Sequence, residues 1–122
     1  MMMRPYIIDH VQYPNGKIGK TTVPEKLIQI CTQKETELLQ DMLIGVVERG
    51  TGQAANVNGV TVAGKTGTAE NATGDDHSWF VGYAPAENPR VAIAVVIEDI
   101  GEIKAAPIAG KVLQVALEKT AE

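Results

Sequence analysis

At 122 residues the chain has room for one small domain, and its single cysteine, Cys31, excludes an internal disulfide and reads as a buried structural thiol. A hydrophobic content of 44% and a charged content of 21% are those of an ordinary folded protein. A net charge of -4 with no basic run argues against nucleic acid or an anionic membrane as partner, and no apolar stretch has the length of a membrane span or the form of a signal peptide.

Met1-Met2-Met3 reads as a start set directly onto an internal sequence, because Arg4 to Tyr6 is already extended in character. Pro5 to Tyr13 alternates loosely, and Pro14-Asn15-Gly16 is a turn signal, since Asn and Gly tolerate positive φ. Lys17 to Thr22 is then the returning strand of an N-terminal hairpin. From Val23 to Cys31 two readings stand: a short helix opened by Pro24, or an extended segment over Leu27 to Cys31. Thr32-Gln33-Lys34-Glu35 fits a capping box at the start of a helix. Leu38, Leu39, Met42, Leu43, Val46 and Val47 recur at helical spacing and predict one core-facing stripe. Gly50 is expected to end that helix as a left-handed cap. Gly50-Thr51-Gly52 to Gly59 reads as a loop, since its glycines fit neither a P-loop nor a dinucleotide fingerprint.

Val60, Val62 and Gly64 alternate with Thr61, Ala63 and Lys65, the period of a strand. That strand runs into Lys65-Thr66-Gly67-Thr68-Ala69, so Lys65 and Gly67 face one way and Thr66 and Thr68 the other. A glycine inside a strand admits the close approach of another backbone. Such a strand suits an extended guest peptide: its backbone pairs with the guest, and its ammonium or hydroxyls hold the guest's carboxylate. Asn71 to Asp76 is a polar connection, and its adjacent Asp75 and Asp76 fall short of a calcium ligand set. Ser78 to Tyr83 is the next strand, with Trp79, Val81 and Tyr83 on one face. After a polar turn from Pro85 to Arg90, Val91 to Ile97 is a near-continuous apolar run, as in a strand covered on both faces. Short connections favour antiparallel neighbours. Pro107 sits in the first turn of a final helix, with Ile108, Val112, Leu113, Ala116 and Leu117 expected to face the sheet. The order predicts an α+β fold: an antiparallel sheet of about three strands packed with helices, plus the N-terminal hairpin. The divisions are residues 1–31 for hairpin and connection, 32–49 for the helix, 60–98 for the three strands and 106–119 for the last helix.

Lys65-Thr66-Gly67 is a K-T-G element. Together with Gly50-Thr51-Gly52, the longer AGKTGTAE, and HSWFVGYAP from His77 to Pro85, it resembles the C-terminal part of a class B penicillin-binding protein transpeptidase domain, a member of the serine β-lactamase and penicillin-binding protein superfamily. The resemblance covers nearly the whole chain. It implies acyl transfer: a serine attacks the D-Ala-D-Ala amide of a peptidoglycan stem peptide, an amine accepts the acyl group, and β-lactams acylate the same serine. It implies no metal or organic cofactor. In the terms of the resemblance, Lys65 borders the acylation site, and Thr66 and Thr68 offer hydroxyls to the substrate's carboxylate or to the bound peptide. Gly67 and Ala69 complete the binding strand, and the Thr68 N–H occupies the oxyanion position. In the family a hairpin of this kind helps frame the cleft, whereas its residues alone read as a plain surface hairpin. The parent protein is expected to be anchored in the cell membrane with an extracytoplasmic catalytic domain.

The family's S-x-x-K and S-x-N motifs are missing here, since the one serine, Ser78, is followed by Trp79 and Phe80. His77 does not activate Ser78, because neighbouring strand residues point to opposite faces, and no metal spacing surrounds His77. His77 is expected to be structural. The chain therefore reads as one wall of an active site, inactive by itself. The apolar edge of Val91 to Ile97 is expected to pair with a second copy, giving a homo-oligomer. A serine β-lactamase or β-lactam sensor shares KTG, but the TAE after it and the YAP after the tryptophan strand favour the transpeptidase. A non-catalytic binding or assembly module of the same fold is the alternative of another class.

Overall fold

A computed structural model describes residues 1–72, 74–99 and 103–120. The chain forms two units, Met1–Thr36 and Glu37–Glu122. In the first, Pro14-Asn15-Gly16 makes the expected turn. Gly16 takes φ +82°, its N–H donates to the Tyr13 carbonyl at 2.9 Å, and the Asn15 side chain accepts from the Lys17 N–H at 3.0 Å. The turn joins β2 (His10–Gln12) to β3 (Ile18–Thr21), an antiparallel pair. The first strand is shorter than the alternation suggested, because Ile7 and Ile8 have no strand beside them and stand exposed. The segment after β3 resolves in favour of the extended reading. There β4 (Lys26–Ile28) pairs antiparallel with β1 (Met2–Met3). Arg4 reinforces that pairing, donating from its backbone to the Glu25 carbonyl at 2.8 Å and from Nε to the Glu25 carboxylate at 2.6 Å. No residue of this unit is buried, and Cys31 is only half-buried, with Sγ 3.2 Å from Thr36 Oγ1. Two small ribbons of this length bury too little apolar surface to offset chain entropy by themselves.

The capping box forms as read. Glu35 accepts from the Thr32 backbone N–H at 2.7 Å and from its hydroxyl at 2.8 Å, and the Glu35 N–H donates back to Thr32 Oγ1 at 3.3 Å. These bonds hold the Glu35 carboxyl below its ordinary value, the backbone N–H contributing most. The helix they open, α1, spans Gln33–Arg49. The stripe that the spacing predicted is a core stripe only in its second half: Leu38, Leu39 and Met42 are 51%, 53% and 66% exposed, while Leu43 and Val46 are half-buried and Val47 is buried. The C-terminal half of α1, from Leu43 to Val47, is the part that is anchored. Gly50 also departs from expectation. It is not in the left-handed region; its N–H and that of Gly52 both donate to the Val46 carbonyl, at 3.1 and 3.0 Å. A Cβ on Gly50 would lie 2.9 Å from that carbonyl oxygen, so close approach rather than φ explains the glycine.

The second unit is built on one antiparallel sheet of order β5-β6-β7, from Ala63–Ala69, His77–Ala84 and Val91–Ile97. The strand of the KTG residues starts three residues later than its pattern implied. Val57 to Val60 instead forms a tight bridge, with Gly59 at φ +76°. Thr73, in the expected connection between β5 and β6, lies outside the described residues.

The helix α2 (Ala105–Lys119) covers one face of the sheet. Phe80 is fully buried between the two, and it takes the room left by Gly64 and Gly82. A Cβ on Gly82 would lie 2.9 Å from the Phe80 ring, and one on Gly64 would overlap it. The buried face of α2 is Ala105, Ala106, Ala109, Gly110, Leu113 and Leu117. Leu113 and Leu117 thus face the sheet as expected, whereas Ile108 and Val112 do not and are largely exposed. Small residues won that face because α2 lies close to the 3-10 turn Gln53–Ala55: a Cβ on Gly110 would come within 2.9 Å of the Ala54 carbonyl oxygen. Strand β7 is covered on one face only. Val91, Ile93, Val95 and Ile97 pack on the core, while Ala92, Ala94 and Val96 are exposed. The expectation of cover on both faces fails because no described element lies over the outer side of β7. The α+β class and the antiparallel order of the three strands are as the sequence predicted.

Candidate active site

Strand β5 lies at the edge of its sheet. It pairs with β6 on one side only, in register Lys65↔Val81, Thr66↔Phe80, Gly67↔Trp79 and Thr68↔Ser78. Lys65 and Gly67 therefore share the outer face with Trp79 and Val81, and Thr66 and Thr68 share the α2 face with Ser78 and Phe80. Four of the residues singled out from sequence, Lys65, Gly67, Thr68 and Ala69, are exposed, and Thr66 is half-buried. Lys65 Nζ donates to the Thr66 backbone carbonyl at 2.8 Å.

Beside this edge opens a recess of about 250 Å³ lined by Thr51, Thr66, Gly67, Thr68, Trp79 and Lys104, with Ser78 and Ala106 at its floor. The sequence brought Thr66, Gly67 and Thr68 together; it did not single out Thr51 or Lys104. Thr51 Oγ1 lies 2.6 Å from Thr66 Oγ1. Its signal was its place in Gly50-Thr51-Gly52, which counted toward the family resemblance and otherwise read as a loop, with no role given to the threonine itself. Lys104 precedes α2 and adds a second cation at the rim, a position no local pattern marks.

Ser78 is engaged by the start of α2. It is buried at 7% exposure, and its Oγ accepts the Ala105 N–H at 2.9 Å. Lys104, the residue before α2, makes no side-chain cap, so Ser78 supplies the acceptor from 27 residues away. His77 is occupied too: its Nδ1 accepts from the Asp99 N–H at 3.1 Å, which puts the proton of the neutral ring on Nε2. Among the described residues, no group of three or more His, Cys, Asp and Glu is placed to hold a metal. No helix among them is long and apolar enough to cross a membrane.

The penicillin-binding protein transpeptidase domain family matches residues 1–114. A curated relative, the peptidoglycan D,D-transpeptidase PbpA of Mycolicibacterium smegmatis, is 36% identical over 104 residues, covering 82% of this chain and 21% of the relative. The D,D-transpeptidase domain of a peptidoglycan glycosyltransferase from Eggerthella lenta superposes with a TM-score of 0.84 at 47% identity, over 97% of this chain and 28% of that one. The imipenem acyl-enzyme complex of penicillin-binding protein A from M. tuberculosis does so with a TM-score of 0.79 at 34% identity, over 94% of this chain and 26% of that one. The chain thus spans about a quarter of the length of the proteins it matches. From its edge strand, its fold and these likenesses, it belongs to the penicillin-binding protein transpeptidase family and corresponds to part of that family's catalytic domain.

Proposed function

We propose that this chain supplies the carboxylate-binding edge of a serine D,D-transpeptidase site acting in peptidoglycan cross-linking, and that the nucleophile comes from other sequence. The observation that carries this reading is the free edge of β5, with Lys65, Thr66 and Thr68 beside a recess. An extended stem peptide adds as a strand along β5, close over Gly67, and pairs its backbone with Thr66 to Ala69. Residues two apart in a strand direct their backbone groups to the same side. The Thr66 carbonyl receives Lys65 Nζ; the Thr68 N–H on the same side then serves as an oxyanion donor. The ammonium of Lys65 attracts the substrate's terminal carboxylate and supports proton movement at the incoming serine, while the Thr66 and Thr68 hydroxyls bind the carboxylate. At about 4 Å, such an ion pair gains about 1 kcal/mol in water and about 4 kcal/mol in a surface cleft. The relatives' β-lactam complexes support β-lactams as ligands of the complete site. The parent protein is proposed to be membrane-anchored with this region outside the cytoplasm.

The 122-residue polypeptide alone neither forms a stable acyl-enzyme nor hydrolyses a β-lactam, because its one serine is buried and engaged. Mass spectrometry after incubation with a penicillin is expected to show the unmodified mass; a covalent adduct overturns this. In the same reading, β7 pairs edge to edge with a second copy, since no described strand lies on its outer side. Light scattering is expected to show a dimer that Ala94→Lys, on the exposed face of β7, dissociates. A monomer at high concentration refutes the pairing. One observation favours the non-catalytic binding module for the isolated chain: the binding edge is present while no serine is free.

A further inference from the structure

We propose that Thr51 is a positioning residue for the guest's carboxylate and that it acts through Thr66. The inference rests on the carboxylate-binding role of β5 and names a group outside the KTG strand on which that role depends. The Oγ1 atoms of Thr51 and Thr66 are 2.6 Å apart, and both residues line the recess beside the edge. Thr51 is fixed from both sides: the N–H groups of Gly50 and Gly52, its chain neighbours, both donate to the Val46 carbonyl. Val46 belongs to the half-buried end of α1, next to the buried Val47, so the position of the Thr51 hydroxyl is set by the packed part of that helix.

Each hydroxyl carries one hydrogen, so at this distance one of the pair donates and the other accepts. If Thr66 donates into Thr51, its hydrogen is withdrawn from the guest. If Thr51 donates into Thr66, the Thr66 hydrogen is free to point into the recess, and the chain of two hydroxyls polarises it further. A carboxylate only accepts, so it selects the second arrangement. A carboxamide brings donors as well and selects neither. Thr51 therefore acts on discrimination between an acid and an amide terminus, and a residue that merely packed the loop would not do so.

The test uses the full chain, with Trp79 at the recess as fluorescence reporter, titrated with N-acetyl-D-alanyl-D-alanine and with its C-terminal amide. The wild type is expected to bind the acid more tightly than the amide. Thr51→Val is expected to weaken acid binding roughly three- to tenfold, the range of one lost hydrogen bond, and to leave amide binding within about twofold. Thr51→Ser restores acid binding, and Thr51→Val adds nothing further in a Thr66→Val background. A wild type with no preference for the acid overturns the carboxylate-binding role and this inference with it. A wild type that prefers the acid, with Thr51→Val unchanged or weakened equally toward both probes, overturns the inference alone.

Discussion

Replacing Ser78 with Ala removes the acceptor that the first N–H of α2 uses. Ala105 is wholly buried and Ser78 is 7% exposed, so water does not take the place of the lost oxygen. A buried donor left without a partner costs about 1–3 kcal/mol, and loss of a helix cap typically costs about 1 kcal/mol. The two figures describe one bond and do not add; about 2 kcal/mol is the expectation. For a unit of this size, that is a fall in Tm of roughly 8–16 °C. Urea unfolding followed by the fluorescence of Trp79, the one tryptophan and the next residue in β6, measures it directly. Ser78→Thr keeps the oxygen and is expected to recover at least half of the loss. A Ser78→Ala stability within about 0.5 kcal/mol of wild type, or a Ser78→Thr as weak as Ser78→Ala, refutes the assignment of Ser78 as a cap. It would also reopen Ser78 to a chemical role.

Phe80→Ala is expected to cost about 3–5 kcal/mol, because the ring fills the space over Gly64 and Gly82 and is fully buried; urea midpoints with unchanged slope check it. Gly64→Ala fails by the opposite route, overpacking against that ring, at about 1–3 kcal/mol, and Phe80→Leu in the same chain is expected to relieve it. Acid acts on the start of α1. The Glu35 carboxyl is lowered by the Thr32 N–H and hydroxyl, so its contribution is present above the ordinary value of 4.5 and is lost as pH falls through the lowered one. Amide protection at residues 33–36, taken relative to the intrinsic exchange rate at each pH, is expected to fall over that range in the wild type and to stay level in Glu35→Gln.

Local chemistry was the most legible part of the sequence. The capping box at Thr32 and Glu35, the turn at Asn15 and Gly16, and the two later strands each rest on residues adjacent in the chain, and each formed as read. What escaped depends on distant neighbours. The periodicity of α1 showed which residues share a face, but not that Leu38, Leu39 and Met42 stay more than half exposed while Val47 is buried. The alternation from Val60 to Gly64 looked like strand throughout, although Gly59 turns the chain first and the ladder begins at Ala63. Gly110 and the small face of α2 reflect a 3-10 turn some fifty residues earlier, which no local window contains. Within the candidate site, the KTG residues were readable because they are consecutive. Thr51 was not, because its contact with Thr66 exists only once the loop after α1 is folded against β5.

The central claim is that an acid-terminated peptide adds to the free edge of β5, and residue-by-residue NMR titration tests it most directly. With N-acetyl-D-alanyl-D-alanine, the amides of residues 65–69 are expected to shift together with the Trp79 indole, and Lys65→Ala is expected to weaken the binding about fivefold, the value of one exposed ion pair. Absence of those shifts, or a response confined to residues away from β5, contradicts the account.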